Sequence, residues 1–366
     1  MHLTPVGLDS GYSYMKAISQ TKEIVFPNIV SPGREITDEG LNDILGQTGV
    51  INNLDISFAF RGTKKHYWIG KMATASGGDA DYFEDRDRWN SERGRASALA
   101  ALALICRKDN ENFVLATGLP LEDYKSNKTT LKQTYEKTIP GTYEVTFESG
   151  PLAGQTKRFN ILTCKVYPQG LGVFFDQVLT DDGIQKDVHP LLEDGTVHGL
   201  IDVGRRTTNM VLFDDFNLSK DFSKSINRGI AQIHEQIQNF LSAQNRFVKN
   251  RDIEVIFKRD IFKGLDIKRV REEALFNLAG IIRAEAQSLW QDKALLESIY
   301  IAGGAGQAVY NFLNFDRYEK ILVSNPQFAN ARGFYKAMLN LILSGKADVN
   351  GQYTLDKPGE VARWSI

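Results

Sequence analysis

One pattern occurs twice in this chain, and it limits the folds available more than anything else in the sequence. Val6 to Ser19 (VGLDSGYSYMKAIS) reads as an apolar strand, an acidic residue, a Gly turn and a second strand. Gly199 to Phe213 (GLIDVGRRTTNMVLF) reads the same way. The aspartates of the two copies, Asp9 and Asp202, lie about half the chain apart. A repeat that long implies two related halves, because solenoid repeats run roughly 20–50 residues. A length of 366 residues also gives two domains at a prior of roughly 150 residues each.

The rest of the chain reads as mixed α/β. Arg93 to Arg107 is rich in Ala and Leu and free of β-branched residues until Ile105, which predicts a helix. Its core, Ala96 to Cys106, is too short for the roughly 20 apolar residues of a membrane span and reads as buried helix. Phe113 to Gly118 is a short buried strand that stops at Leu119-Pro120. Lys125 to Lys137 is a polar helix. Tyr143 to Glu148 and Arg158 to Tyr167 alternate as strands about a turn at Gly150-Pro151, and a helix follows Gly172. In the second half, Ile230 to Ala243 and Ile267 to Trp290 read as helices. Leu275, Leu278, Ile281, Ile282 and Leu289 give the latter its apolar spacing. A strand, Ser298 to Ala302, runs into Gly303-Gly304-Ala305-Gly306. The last helix is Arg332 to Leu343, and the tail after Gly345 reads as polar and irregular. Such alternation predicts sheets covered by helices.

Composition narrows the setting. Lys+Arg number 44 against 45 Asp+Glu, a formal charge of −1. That balance argues against direct nucleic-acid binding. Two cysteines, Cys106 and Cys164, make no disulfide framework, so a reducing cytoplasm is expected. The first residues lack the basic-then-apolar layout of a signal peptide, and no membrane association is expected. The histidines His2, His66, His189, His198 and His234 show no metal-ligand spacing.

A hairpin tip with Gly at its turn exposes backbone N–H groups that bind phosphate oxygens. An aspartate just before the turn repels phosphate but can hold hydrated Mg²⁺ that bridges to it. Two such turns facing each other would clamp a triphosphate between two domains. Lys16, on the return strand, could bring its ammonium back to the phosphates. A single D-x-G is more often an ordinary hairpin; two copies, each behind an apolar strand, favour the clamp. A strand ending in Gly303-Gly304 allows close backbone approach to a ligand. Gly304, Gly306 and Ala308 imitate a dinucleotide fingerprint, but the acidic residue expected about 20 residues further on is missing.

In this order, the three elements resemble the superfamily of actins, heat-shock chaperones and sugar kinases. The phosphate-1 hairpin is Gly7 to Lys16, the phosphate-2 hairpin Ile201 to Thr208, and the adenosine motif Ile301 to Ala305. Lys16 tilts the resemblance to actins, and Val25 to Val30 is similar to the start of their small subdomain. Gly118 to Leu121 and Pro326 to Gly333 resemble the plasmid-segregating ParM type and its archaeal relatives. The resemblance implies two actin-like (ribonuclease H-like) domains with a nucleotide cleft between them. Domain I would be 1–172 with about 328–366 (small subdomain about 24–85). Domain II would be 173–327 (small subdomain about 228–275).

It implies ATP or GTP with Mg²⁺ held through water by Asp9 and Asp202. Asp9, Ser10, Gly11, Tyr12, Ser13 and Lys16 would line one side of the nucleotide. Gly204, Arg205, Thr207, Thr208, Gly303, Gly304 and Ala305 would line the other. Lys268 or Arg271, from a stretch with nine Lys/Arg between Arg246 and Arg271, would touch the base. Gln169 stands where ParM-type proteins carry Glu and actins Gln, so its amide would orient water on the γ-phosphate. Asp202 and Asn209 complete the hydrolytic set, although relatives often have Asp or His at the place of Asn209. Arg205 and Arg206 replace the small residues usual in the second turn, and for at least one of them solvent or a filament contact is expected.

The function implied is a head-to-tail filament that binds and hydrolyses nucleotide, for plasmid segregation or other cytomotive work through a DNA-binding adaptor. The alternative is a sugar-type kinase of the same fold. It would need a carboxylate base at the substrate hydroxyl, and Gln169 cannot abstract a proton. A chaperone would call for a peptide-binding domain, for which little length is left. A Rossmann dehydrogenase fails on motif order.

Overall fold

The computed structural model describes residues 1–36, 49–60, 62–75, 80, 82, 87–136, 142–214, 217–347, 349, 354–355 and 362–364. The expected helix end at Lys137, part of the 24–85 subdomain and most of the tail lie outside the described residues.

In the first half the strands are β1 (His2–Ser10), β2 (Tyr14–Ser19), β3 (Lys22–Pro27), β4 (Val30–Pro32), β5 (Leu54–Phe60), β6 (Thr63–Ile69), β7 (Glu111–Leu119), β8 (Tyr143–Phe147) and β9 (Thr156–Pro168). Its helices are α1 (Lys71–Ala75), α2 (Glu92–Ile105), α3 (Leu121–Glu136) and α4 (Leu171–Val178). The second half has β10 (Val197–Val203), β11 (Thr208–Asp214), β12 (Asn217–Ile226), β13 (Ile261–Phe262), β14 (Leu265–Asp266), β15 (Leu296–Ala302) and β16 (Glu319–Leu322). Its helices are α5 (Ala231–Ala243), α6 (Asn250–Phe257), α7 (Ile267–Trp290), α8 (Gly306–Tyr310) and α9 (Ala329–Leu343).

The repeat seen in sequence is a repeat of topology. One sheet contains the order β3-β2-β1-β7-β9 and the other is β12-β11-β10-β15-β16. In each, the first two pairings are antiparallel and the last two parallel. Register repeats as well: Asp9 lies opposite Lys16, and Asp202 lies opposite Asn209. The first sheet continues through β8, β5, β6 and β4. The tail corrects the sequence reading: Thr354–Leu355 (β17) pairs with β1 and Ala362–Trp364 (β18) with β3, both parallel. An exposed strand edge is a template for any extended segment that reaches it, whatever that segment's polarity.

The main apolar core of the first half lies under α2, which is buried along almost its whole length. Ser91 caps that helix by accepting from the Gly94 amide at 3.0 Å. The second half buries α5, α6 and α7 against its sheet. On α7, Leu275, Leu278 and Ile282 are buried as their spacing predicts, while Ile281 is exposed.

The last helix of each half is exchanged. The α4 helix follows β9, yet Val173, Phe174 and Val178 bury against Leu200, Val211 and Phe213 of the second sheet. The α9 helix follows β16, yet Phe334, Met338 and Ile342 bury against Leu3, Val114 and Ala116 of the first. Where the two helices cross, backbone meets backbone. A Cβ on Gly333 would lie 1.6 Å from the Gly172 carbonyl oxygen. The crossing is fastened by Asp176, which accepts from Arg332 at 2.5 Å and lies 3.1 Å from the Lys336 ammonium.

Gly333→Ala therefore cannot be absorbed by a side-chain shift. It should lower stability by about 3 kcal/mol, the upper end for overpacking, seen as a lower urea midpoint with little change in slope. A midpoint equal to the parent's would mean that the helices part without cost.

Candidate functional site

The two hairpin turns, the end of β15 and the start of α9 enclose a cavity of about 210 Å³ between the halves. At the first turn, the Gly11 amide donates to the Tyr14 carbonyl at 3.1 Å. Asn28 braces the turn from behind. Its backbone N–H donates to the Ser13 carbonyl and its side-chain amide to the Gly11 carbonyl, each at 2.7 Å. Its own Oδ1 accepts from Ser97 at 2.6 Å. The Lys16 ammonium returns along β2 and meets Asp9 Oδ2 at 2.7 Å. At the second turn, the Gly204 amide donates to the Thr207 carbonyl at 2.9 Å.

A chain of amides links the two aspartates. Gln169 Nε2 donates to Asp9 Oδ1 at 3.4 Å, and Gln169 Oε1 accepts from Asn209 at 3.5 Å. Asn209 also donates to Asp202 Oδ2 at 3.4 Å, and its own Oδ1 accepts from Ser225 at 2.5 Å. Asn330, in the first turn of α9, donates to Asp202 Oδ2 at 2.9 Å and accepts from the Gly170 amide at 3.2 Å. Gly303 makes room for this arrangement. Its φ is +92°, and a Cβ there would lie 2.4 Å from Asp202 Oδ1.

Burial raises the Asp202 carboxyl above its ordinary range, and the nearby Asp9 carboxylate adds to this against the Asn330 and Asn209 hydrogen bonds. Two carboxylates beside one cavity are hard oxygen donors of the kind Mg²⁺ takes through water, with phosphate completing its shell. Among the described residues no group of three or more His, Cys, Asp or Glu could hold a metal by itself. A water-held ion shared with phosphate needs only the pair Asp9 and Asp202. Those residues fit the ion.

Of the residues singled out in the sequence, the structure gathers Asp9, Gly11, Tyr12, Ser13, Lys16, Gln169, Asp202, Gly204, Arg205, Thr207, Asn209, Gly303, Gly304 and Ala305 around the cavity. Ser10 ends β1 outside the lining. Thr208 turns away and donates to the Arg228 carbonyl at 2.8 Å. Lys268 and Arg271 do not line the cavity either. Lys268 is exposed on α7. Arg271 binds the Phe257 and Arg259 carbonyls at 2.7 and 2.9 Å, satisfying acceptors at the end of α6. The two turn arginines separate: Arg206 is exposed and Arg205 buried.

Sequence reasoning passed over Tyr14, Asn28, His234, Glu254, Phe257, Lys258 and Asn330. Asn28 and Asn330 each sit inside a segment already singled out for its resemblance, at Val25 to Val30 and Pro326 to Gly333. His234 is held neutral: burial lowers its pKa to about 3, helped by the Arg205 guanidinium 3.4 Å away. The Tyr14 phenol is pushed above its ordinary range by burial and by Glu254.

Duplicated sheets, exchanged helices and paired aspartates at the base of a cleft define an actin-type two-domain protein. Residues 7–172 match the family model of the N-terminal domain of actin-like proteins. Residues 200–314 match that of the C-terminal domain of archaeal MreB-like actin homologues. The chain belongs to the actin-like proteins. No curated protein matches it. Among solved structures, it is similar to a non-polymerisable quadruple mutant of pCBH ParM, at 25% identity over 92% of this chain and 98% of that one, TM-score 0.76. A 15-stranded ParM filament from Clostridium botulinum is 24% identical over 92% and 99%, TM-score 0.76. An archaeal actin homologue in complex with ADP is 21% identical over 92% and 99%, TM-score 0.69.

A raised carboxyl stabilises the fold only while it is protonated. Its contribution is present below the unfolded carboxylate range and is lost as pH climbs through the folded value. Asp202→Asn should therefore stabilise the Mg²⁺-free protein at pH 7 by about 1 kcal/mol, a common gain on neutralising a functional charge. The gap to the parent should narrow towards pH 4. Denaturant midpoints at pH 7 and 5 test this, and a variant less stable than the parent at both would contradict it.

Proposed function

We propose that this chain is a nucleotide-dependent filament former that binds ATP or GTP with Mg²⁺ in the cleft and hydrolyses it. The observation that carries the reading is the pair Asp9 and Asp202, on equivalent hairpins, joined across the cleft through Gln169 and Asn209. Turn amides other than those of Gly11 and Gly204, which close the two turns, would take phosphate oxygens, with Lys16 adding positive charge. Asp9 and Asp202 would hold Mg²⁺ through water; when bound, the ion neutralises phosphate charge. Gly303 and Gly304 would let the backbone approach the nucleoside.

Gln169 would position water rather than abstract a proton. Its oxygen, which accepts from Asn209, would also accept from water, and its amide nitrogen donates to Asp9. The water oxygen would then attack the γ-phosphorus, the bond to the bridging oxygen would break with its electron pair leaving on the nucleoside diphosphate, and the water proton would pass to phosphate.

The related ParM filament and the ADP complex of the archaeal homologue support assembly and nucleotide binding. By the same likeness, the filament would work in the cytoplasm in plasmid segregation or another cytomotive task, with a DNA-binding adaptor. The near-neutral charge balance speaks against direct DNA contact. Among the described residues no helix is long and apolar enough to cross a membrane. A kinase of the same fold is the second reading. It would need a carboxylate base, and the residue next to Asp9 on the chain of amides is Gln169.

Gln169→Ala should keep nucleotide binding but slow phosphate release about 10–1000-fold, at ~1.4 kcal/mol per decade. Normal turnover would move the role to another residue. Asp9→Ala and Asp202→Ala should each lose most Mg²⁺-dependent turnover with the fold retained by circular dichroism, and unchanged turnover in both would remove the clamp.

Assembly separates the two readings. Adding nucleotide and Mg²⁺ should raise light scattering after a lag and above a threshold protein concentration, and scattering should fall as nucleotide is consumed. A head-to-tail contact joins two different surfaces, so it propagates unless the rotation closes a ring. Protein that stays monomeric with ATP, GTP and non-hydrolysable analogues, with specific activity flat against concentration, would favour the kinase.

A further inference from the structure

A second set of contacts joins the halves without sharing a residue with the α4–α9 crossing. Tyr14 begins β2 in the first half, and its hydroxyl donates to Glu254 Oε2 on α6 of the second half at 2.6 Å. Tyr82 is tied to the first half by its bridge to Ile29. Its ring carries the Arg205 guanidinium of the second half, 4.4 Å from the centroid. Arg205 also lies 3.9 Å from Glu254 Oε1 and 3.4 Å from His234 Nδ1. Tyr14, Arg205, His234 and Glu254 all line the nucleotide cavity. Tyr82, Arg205 and His234 are buried.

The chemistry of this cluster suits a closure more than a ligand cradle. Glu254 already accepts a hydrogen bond from the Tyr14 phenol across the cleft. Arg205 could reach phosphate, yet its guanidinium lies over an aromatic ring and near a carboxylate, both of which favour a guanidinium that stays where it is. His234 is neutral and presents Nδ1 as an acceptor to that same Arg. Opening the cleft would separate Tyr14 from Glu254 and Tyr82 from Arg205 together, since each pair has one member in each half.

We propose that Tyr14, Tyr82, Arg205 and Glu254 form a latch across the cleft that holds the halves closed over the nucleotide and sets its rate of release. This rests on the nucleotide reading above. The latch has two strands of unlike character. The phenol–carboxylate bond is charge-assisted and directional. The guanidinium–ring contact tolerates sliding. Nucleotide exchange then requires both to part at once, followed by swinging of the halves about the helix crossing.

The test is a chase of a fluorescent N-methylanthraniloyl ATP with excess ATP, using Tyr14→Phe, Glu254→Gln and the double variant. Each single change should speed release about tenfold, the worth of one lost hydrogen bond to a charged group. The double variant should be no faster than Glu254→Gln alone, because that change already removes the acceptor of Tyr14 together with the carboxylate beside Arg205. Unchanged release in both singles would overturn the latch. So would multiplicative effects in the double variant, which would make Tyr14 and Glu254 separate ligand contacts. Tyr82→Leu, outside the cavity lining, should also speed release; a normal rate in that variant would remove Tyr82 from the latch. If the parent binds no nucleotide, the proposed function fails, and the latch is then read from small-angle scattering of nucleotide-free protein. A larger radius of gyration in Glu254→Gln supports it, and an unchanged radius overturns it.

Discussion

Everything in this molecule hangs on two helices that touch backbone to backbone. The Gly172–Gly333 crossing leaves no space for a side chain, and each helix belongs by topology to one half and by packing to the other. Exchange of this kind ties the halves together with apolar surface on both sides of a single point. Motion about the point can leave the buried faces in place, whereas separation would expose both. Asp176, gripped by Arg332 and Lys336, restrains sliding along the crossing. A buried ion pair adds little net stability, but breaking one half of it is costly. Its physical effect here is to fix register between the two helices.

That crossing also places the polar groups of the cleft. Gln169 lies two residues before α4 and Asn330 in the first turn of α9, each three residues ahead of the crossing glycine. Each meets a hairpin aspartate: Gln169 meets Asp9, and Asn330 meets Asp202. Symmetry is broken one layer further on. Opposite Asp9 the return strand carries Lys16, and opposite Asp202 it carries Asn209. One carboxylate is therefore paired with a cation while the other has only amides for partners. The duplicated fold supplies equal geometry, and two side chains make its halves electrostatically unequal.

Much of this was legible because the informative signals are local. Strand, Asp, Gly turn and strand lie within fifteen residues, and helix α7 declares itself through its apolar spacing. Family resemblance then added Gln169, which composition would have left as a turn residue beside Pro168. What remained hidden depends on where one element points relative to another. Glu254 and Tyr14 are 240 positions apart, and nothing at either site announces the other. Basic residues on α6 and α7 looked alike in sequence. In the fold, Lys258 lines the cavity while Arg271 is drawn to the orphan carbonyls at the end of α6. The polar tail formed strands because the sheet it meets supplies the order that its own sequence lacks.

Burial of charge at the base of the cleft makes the site depend on how the two halves meet. A carboxylate held away from water and near another carboxylate costs free energy. Bound cation and phosphate would relieve that repulsion, so closure and ligand binding would favour each other through the same pair of aspartates. The Tyr14–Glu254 contact works in the opposite sense, because it is attractive across the cleft. The balance between repulsion at the base and attraction across the cleft then sets the resting position of the halves. Ligand charge would tip that balance, while the Gly172–Gly333 crossing keeps the two helices in backbone contact.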